Sequence, residues 1–130
     1  KVFLLGAQTD LPKIYSALDV YVMSSAYGEG FPNAVAEAMA CGTPCVVTSV
    51  GDGPRIVGDT GLVVPPRDSG TLANALEQML ALNRAGIMRL GKQARSRILE
   101  EYTIEKMLKR YADLYSGKAP RDLPVEAVGS

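Results

Sequence analysis

Two glutamates, Glu29 and Glu37, stand eight positions apart in the stretch GEGFPNAVAEAMACGTP (28–44). The first sits in a glycine-rich turn; the second lies within small residues at helical spacing. Glycines in such a turn let a ligand approach the backbone. The unpaired N–H groups of the first helical turn then receive an anion such as a diphosphate, worth about 0.3–2 kcal/mol. The spacing approximates a dinucleotide fingerprint whose third glycine is replaced by Asn33. Glu29 does not suit that assignment, because it would repel a pyrophosphate packed against the turn. A carboxylate placed there is better fitted to accept hydrogen bonds from neutral hydroxyls, as a sugar supplies. Glu37 lies about a turn further on, on the stripe of Ala34, Ala38 and Cys41. Carboxylates bracketing an anion-binding helix start suit a ligand with a sugar at one end, phosphates in the middle and a ribose at the other. The residues alone leave a plainer assignment open, with Glu29 a solvated loop residue and Glu37 a helix-surface charge.

The elements that must position these residues follow from hydrophobic period. Strand-length apolar runs occur at Val2–Gly6, Val20–Ser25, Cys45–Ser49 and Gly61–Pro65. Asp10–Asp19 is helical, and a helix from about Asn33 to Cys41 is stopped by Gly42 as a left-handed cap, with Pro44 beyond it. The turn VGDGP precedes a short helix around RIVGD. After the fourth strand the pattern is purely helical. Asp68 or Ser69 caps a helix that places Leu72, Leu76, Met79, Leu80 and Leu82 on one side, and helices follow at Ala85–Glu101 and Ile104–Ser116. Strands alternating with helices give an α/β fold, an open Rossmann-like parallel sheet with flanking helices. Ligands bind such sheets at the carboxyl ends of the strands, where the Glu29 turn falls.

Composition sets the outer limits. The 130 residues, 47% hydrophobic and 22% charged, read as one globular domain. Formal net charge is zero, which removes any global attraction to nucleic acid. The balance is uneven: residues 1–80 carry four Lys or Arg against eight Asp or Glu, and residues 81–130 carry ten against six. No apolar run reaches the roughly 20 residues of a membrane span, and no leader pattern opens the chain, so a cytoplasmic protein is expected. The start at KVFLLG, in mid-strand, suggests a piece of a larger protein. With two cysteines and no histidine, neither a zinc site nor a Cys–His nucleophile pair is available, and Cys41 and Cys45 read as buried free thiols. The cations of the last helices, Arg89, Lys92, Arg95, Arg97, Lys106, Lys109 and Arg110, read as a solvated face paired with Glu100, Glu101 and Glu105. The sharper option for them is peripheral contact with an anionic membrane. Tyr102, Tyr111 and Tyr115 read as packing residues.

The stretch EGFPNAVAEAMACGTPCVVTSVGDGPRIVGDTGLVVPPRD resembles the donor-binding lobe of retaining nucleotide-sugar glycosyltransferases of the GT-B fold, family 4. The signature is two glutamates separated by seven residues, then Ala-Met-Ala-Cys-Gly-Thr-Pro and Val-Val. The resemblance covers roughly residues 2 to 115. It implies that residues 1–117 are the later part of a donor lobe, the partial C-terminal lobe of a GT-B fold, with 118–130 a loosely ordered or docking tail. Glu29 becomes the catalytic-site carboxylate on the donor sugar's hydroxyls. The backbone of Gly30, Phe31, Pro32 and Asn33 runs along sugar and β-phosphate, Gly28 and Ala34 complete the binding stretch, and Glu37 accepts from the ribose hydroxyls. The implied reaction is sugar transfer from a UDP- or GDP-linked donor with retention, to a glycan or lipid-linked acceptor held by a separate N-terminal lobe. It involves no metal or other cofactor. Two departures stand out: Met23-Ser24 replaces a usual Pro-Ser, and Gly51-Asp52-Gly53-Pro54-Arg55 replaces a Gly-Gly-x-Pro-Glu pattern, leaving Arg55 either near phosphate or in solvent. An epimerase-like nucleotide-sugar lobe and a non-catalytic Rossmann-like interaction domain are the alternatives.

Overall fold

In the computed structural model, which describes residues 1–117, the middle strand organises everything else. Three parallel strands, β1 (Tyr21–Met23), β2 (Cys45–Thr48) and β3 (Leu62–Val64), pair in chain order, with Tyr21 opposite Cys45 and Val46 opposite Leu62. All four residues of β2 are buried, as a strand covered on both faces requires. Its side chains alternate. Cys45 and Val47 join Val35, Ala38, Met39, Ile56, Ala94 and Ile98 in one core cluster, and Val46 joins Val64, Ala75 and Met79 in the other. The first face is thus covered by α2 (Asn33–Ala40), α3 (Gly53–Val57) and α5 (Arg84–Glu101), the second by α4 (Ser69–Leu80). Burying a Val, Met or Ile side chain contributes about 1.5–3 kcal/mol as an upper value. The two clusters therefore lock the strand order from both sides.

Local chemistry sets the ends of the elements. Asp10 caps α1 (Leu11–Ala17), its carboxylate accepting from the Lys13 N–H at 3.4 Å. Asp68 caps α4 through the Thr71 N–H at 2.9 Å and the Thr71 hydroxyl at 2.7 Å, so the expected cap is found. On α4 the inward stripe runs through Leu72, Ala75, Leu76 and Met79, whereas Leu80 and Leu82 are exposed. The register of a 3.6-residue period turns Leu80 away and substitutes Ala75. Gly42 ends α2 with φ +83°, the left-handed cap that the sequence predicts. Its carbonyl faces Gly91 of α5 so closely that a side chain at 91 would meet it.

Three further expectations fail. Val2–Gly6 forms no strand, and Leu4 is 96% exposed. An apolar run shows that burial is wanted but does not supply a neighbour, and among the described residues β1 pairs only with β2. Second, Arg95 and Arg97 do not sit in a solvated carboxylate network. Arg95 donates to the Ala40 carbonyl at the end of α2, and Arg97 donates to the Ile56 and Arg55 carbonyls of α3, both at 2.8 Å. Helix C-termini present unpaired carbonyls with partial negative charge, which attract guanidinium as carboxylates do. The expected acid–base pairing appears for Arg110 with Glu101 at 3.2 Å, and Lys109 pairs with Asp113 at 2.6 Å. Third, Tyr102 packs, but Tyr111 and Tyr115 lie exposed on α6 (Ile104–Tyr115), Tyr115 at 90%. That helix has a side carrying Ile104, Met107, Leu108 and Tyr111, all exposed, and buries no residue within the described chain. No described helix is long and apolar enough to cross a membrane. The expectation for the 118–130 tail lies outside the described residues.

Candidate functional site

The loop between β1 and α2 is built from both ends. Thr48, buried at the end of β2, donates its hydroxyl to the Ser25 carbonyl at 2.7 Å, which pins the chain as it leaves β1. Gly28 follows with φ +81°, a conformation that costs a residue with Cβ and leaves glycine unstrained. The far end rests on the VGDGP turn. The Asp52 N–H donates to the Gly30 carbonyl at 3.0 Å, and Gly51, at φ +56°, packs so tightly that an added Cβ would lie 2.6 Å from that same carbonyl oxygen. Phe31 packs on Tyr102 with ring centroids 5.8 Å apart. The Tyr102 hydroxyl in turn donates to the Arg55 carbonyl at 3.0 Å. Arg55 itself forms a bidentate pair with Asp52, at 3.0 and 3.2 Å, and that bond holds its guanidinium further above its usual range. This arginine therefore braces the turn while facing solvent, as one of the two expectations had it.

A cleft of about 500 Å³ opens at the carboxyl end of β1. Of the residues singled out from sequence, Glu29, Phe31, Pro32, Asn33 and Ala34 line it. Gly28, Gly30 and Glu37 are not among its lining residues; the two glycines shape the loop, and Glu37 stands exposed a turn further along α2. The structure adds Tyr21, Ser24 and Ser25. Ser25 matters most, since its hydroxyl donates to the half-buried Glu29 carboxylate at 2.5 Å. The only sequence signal for it was a hydroxyl four residues before the glutamate. Gly51 was placed in a turn, but its contact with the Glu29 loop was invisible, because a close approach between two loops leaves no trace in either loop's own pattern.

Glu37 is held from the side. Its carboxylate accepts from the Tyr15 hydroxyl at 3.3 Å, and the Tyr15 ring meets Tyr21 edge-on, with centroids 5.7 Å apart. Burial first, then the negative charge of Glu37, pushes the Tyr15 phenol above its ordinary range, so it remains a donor. Burial likewise raises Tyr21. Each of the two carboxylates is thus oriented by a hydroxyl, Glu29 by Ser25 and Glu37 by Tyr15, and each retains lone pairs for further donors.

The start of α2 differs from that of most other helices. Side chains of Asp10, Asp68, Asn83 and Thr103 cap α1, α4, α5 and α6. The N-cap of α2 is Pro32, which makes no side-chain cap bond. The N–H groups of Val35 and Ala36 bond to the Pro32 carbonyl at 3.1 and 3.4 Å. Those of Asn33 and Ala34, both lining the cleft, have no partner among the described residues. Such a helix start carries partial positive charge and two vacant donors, which is what a phosphate oxygen accepts from. Among the described residues no group of three or more His, Cys, Asp or Glu is arranged to hold a metal ion. Both cysteines are free; Cys45 is buried and its thiol is pushed up to about 12 by that burial, whereas Cys41 is half-buried.

Comparison with known proteins identifies the family. Residues 1–82 match the family described as Glycosyl transferases group 1. The chain is 32% identical over 120 residues to N-acetyl-alpha-D-glucosaminyl L-malate synthase of Bacillus anthracis, covering 88% of this chain and 30% of that protein. It is 32% identical over 117 residues to the UDP-Gal:alpha-D-GlcNAc-diphosphoundecaprenol alpha-1,3-galactosyltransferase of Escherichia coli, with the same two coverages. Its fold superposes on S. aureus TarM, solved in complex with fondaparinux, alpha-GlcNAc-glycerol and UDP, with a TM-score of 0.78 at 26% identity, over 87% of this chain and 23% of that one. The chain spans about 30% of the length of the curated relatives it matches.

Proposed function

The chain belongs to the glycosyl transferases group 1 family, and from that premise we propose that it is the donor-binding part of a larger glycosyltransferase of the GT-B type. The observation that carries this reading is the uncapped start of α2, with the Asn33 and Ala34 N–H groups in a cleft that Glu29 lines, and Glu37 about a turn further along the helix. The diphosphate of a UDP- or GDP-linked sugar would sit on those donors. Glu29, set by Ser25, would accept from the sugar hydroxyls, and Glu37, set by Tyr15, from the ribose hydroxyls. As the sugar leaves, charge builds on the diphosphate, and fixed N–H dipoles stabilise it without reorganisation and without a metal ion. The E. coli relative's UDP-linked donor and the UDP in the TarM complex support a uridine nucleotide. Retention at the anomeric carbon, with attack on the face the diphosphate leaves, and a glycan or lipid-linked acceptor on a second lobe complete the proposal.

A lipid-linked acceptor would bring the enzyme to the cytoplasmic face of a membrane. Among the described residues of α5, Arg89 and Lys92 lack a carboxylate partner, while Arg95 and Arg97 are engaged by carbonyls. Binding to anionic vesicles is therefore expected to be weak and abolished by salt. The relatives' names favour group transfer over an epimerase-like or a non-catalytic role.

The test is an amide chemical-shift titration of the chain with UDP, GDP and ADP separately. Shifts clustered at residues 28–37 with one nucleotide are expected. No shift at those residues with any of the three, in the full-length protein as well, overturns the reading.

A further inference from the structure

Arg67 is the one non-glycine residue with positive φ among the described residues, at +59°. Glycine takes that conformation freely, whereas a side chain there is strained, and such strain persists where something else requires the residue. Arg67 lies in the connection from β3 to α4, at the same carboxyl end of the parallel sheet as the Glu29 loop. Its guanidinium carbon stands 5.9 Å from the centroid of the Tyr27 ring, and Tyr27 is 78% exposed.

The two flanks of Glu29 are held unequally. On the C-terminal side, Gly30 is bonded to Asp52 and Phe31 packs on Tyr102. On the N-terminal side Ser25 is pinned by Thr48, but Ala26, Tyr27 and Gly28 are all exposed. Gly28 has nothing within 4 Å of where a Cβ would stand, so the backbone next to Glu29 has room to swing. The contact of Arg67 with the Tyr27 ring ties this stretch to the connection between β3 and α4. An exposed cation–π contact stabilises a fold little, which gives the fold itself no reason to keep a strained arginine.

We propose that Arg67 is a positioning residue for Glu29. By holding Tyr27 it fixes the flank of the loop at Gly28, and with it the direction of the Glu29 carboxylate toward the donor sugar. The inference rests on the donor-lobe reading above. It separates the two halves of the ligand: a nucleoside diphosphate lacks the sugar that Glu29 would hold, so only the complete nucleotide-sugar should sense Arg67.

The experiment uses the full-length protein and the nucleotide-sugar that it turns over. Arg67→Gly removes the stack and the strain together. The expected result is a melting temperature at or above wild type, unchanged affinity for the nucleoside diphosphate, and a donor KM raised roughly threefold to fivefold, the scale of one such contact. Arg67→Lys should recover part of the loss. Tyr27→Ala should reproduce it without adding to Arg67→Gly. Arg67→Asn, which tolerates positive φ, provides the same readout where glycine loosens the connection. A wild-type donor KM in Arg67→Gly and Arg67→Asn overturns the proposal, as does an equal loss of affinity for the bare diphosphate. A wild-type protein that binds no nucleoside diphosphate overturns the donor-lobe reading, and this inference with it.

Discussion

The two ends of α2 serve opposite purposes. At its N-terminus the helix has a proline cap without a side-chain bond, two vacant N–H groups and an open cleft. At its C-terminus the carbonyls are occupied. Cys41 donates to Glu37 and Ala38, Gly42 to Met39, Thr43 to Ala38, and Arg95 caps Ala40, while Gly42 sits against Gly91. One helix of eight residues thus leaves one end open and packs the other on neighbouring protein. Stability and binding should be separable along it, because the groups responsible for each do not overlap.

The sharpest way to break that separation is at the packed end. Gly91→Ala forces a methyl group onto the Gly42 carbonyl, and overpacking between backbones cannot be relieved by a rotamer change. We expect a loss of about 3 kcal/mol in chemical denaturation, the top of the range for overpacked sites. The fraction that remains folded should bind nucleotide as wild type does; a selective loss of affinity would show that the two ends are coupled. Gly51→Ala strikes the boundary between the two regions. It places a side chain at φ +56° against the Gly30 carbonyl, so it should cost about 2 kcal/mol of stability and also displace the Glu29 loop. Reduced melting temperature together with reduced donor affinity would confirm that the turn supports the loop, and normal affinity would contradict it.

At the ligand end the effects should reverse. Glu37→Ala is expected to weaken nucleotide binding at least roughly tenfold by calorimetry, as loss of a charged acceptor of two hydroxyls implies. Its melting temperature should change little, because Glu37 is exposed. Unchanged affinity in the folded variant would remove Glu37 from the site. Arg95→Ala returns to the packed end with a smaller effect, about 1 kcal/mol of stability from an exposed cap and no change in binding. The smallest effect concerns a capped helix start for contrast. Hydrogen bonds from Thr71 hold the Asp68 carboxyl below its ordinary 3.8. The carboxylate form is thus favoured by folding, so its stabilisation is present above that value and is lost as pH falls through the lower folded value. In an acid melt the difference between wild type and Asp68→Ala should shrink over that interval; a constant difference would show that the cap does not act through its charge.

The same contrast separates what the sequence disclosed from what it withheld. The loop and open start of α2 were legible because their signals are local: a glycine turn, a carboxylate within it, then small residues at helical spacing. Gly42 and Asp68 were legible for the same reason, since a cap is chosen by its own few neighbours. The Gly42–Gly91 contact, the grip of Gly51 on the Glu29 loop and the carbonyl-binding arginines were not, since each joins segments distant in the chain. Val2–Gly6 shows the converse error. Its composition fits a strand, but pairing is a property of two segments, and the described residues supply one. Tyr111 and Tyr115 read as packing residues because aromatic side chains at helical spacing usually are; α6 places its apolar side against nothing in the described chain.

The order of the strands has one more implication, for how the molecule comes to be. Because β1, β2 and β3 pair in the order in which they are synthesised, each new strand finds its partner already laid down, with one short helical crossover between them. Closing such short loops costs little chain entropy, and topologies of low sequence separation reach their native contacts quickly. The strand, loop and helix start that line the cleft, with β2 and the Gly51 turn beside them, are all encoded within a single contiguous stretch, and Arg67 and Tyr102 reach them later. A ribosome would therefore deliver the elements of the cleft before the helix that covers the second face of the sheet.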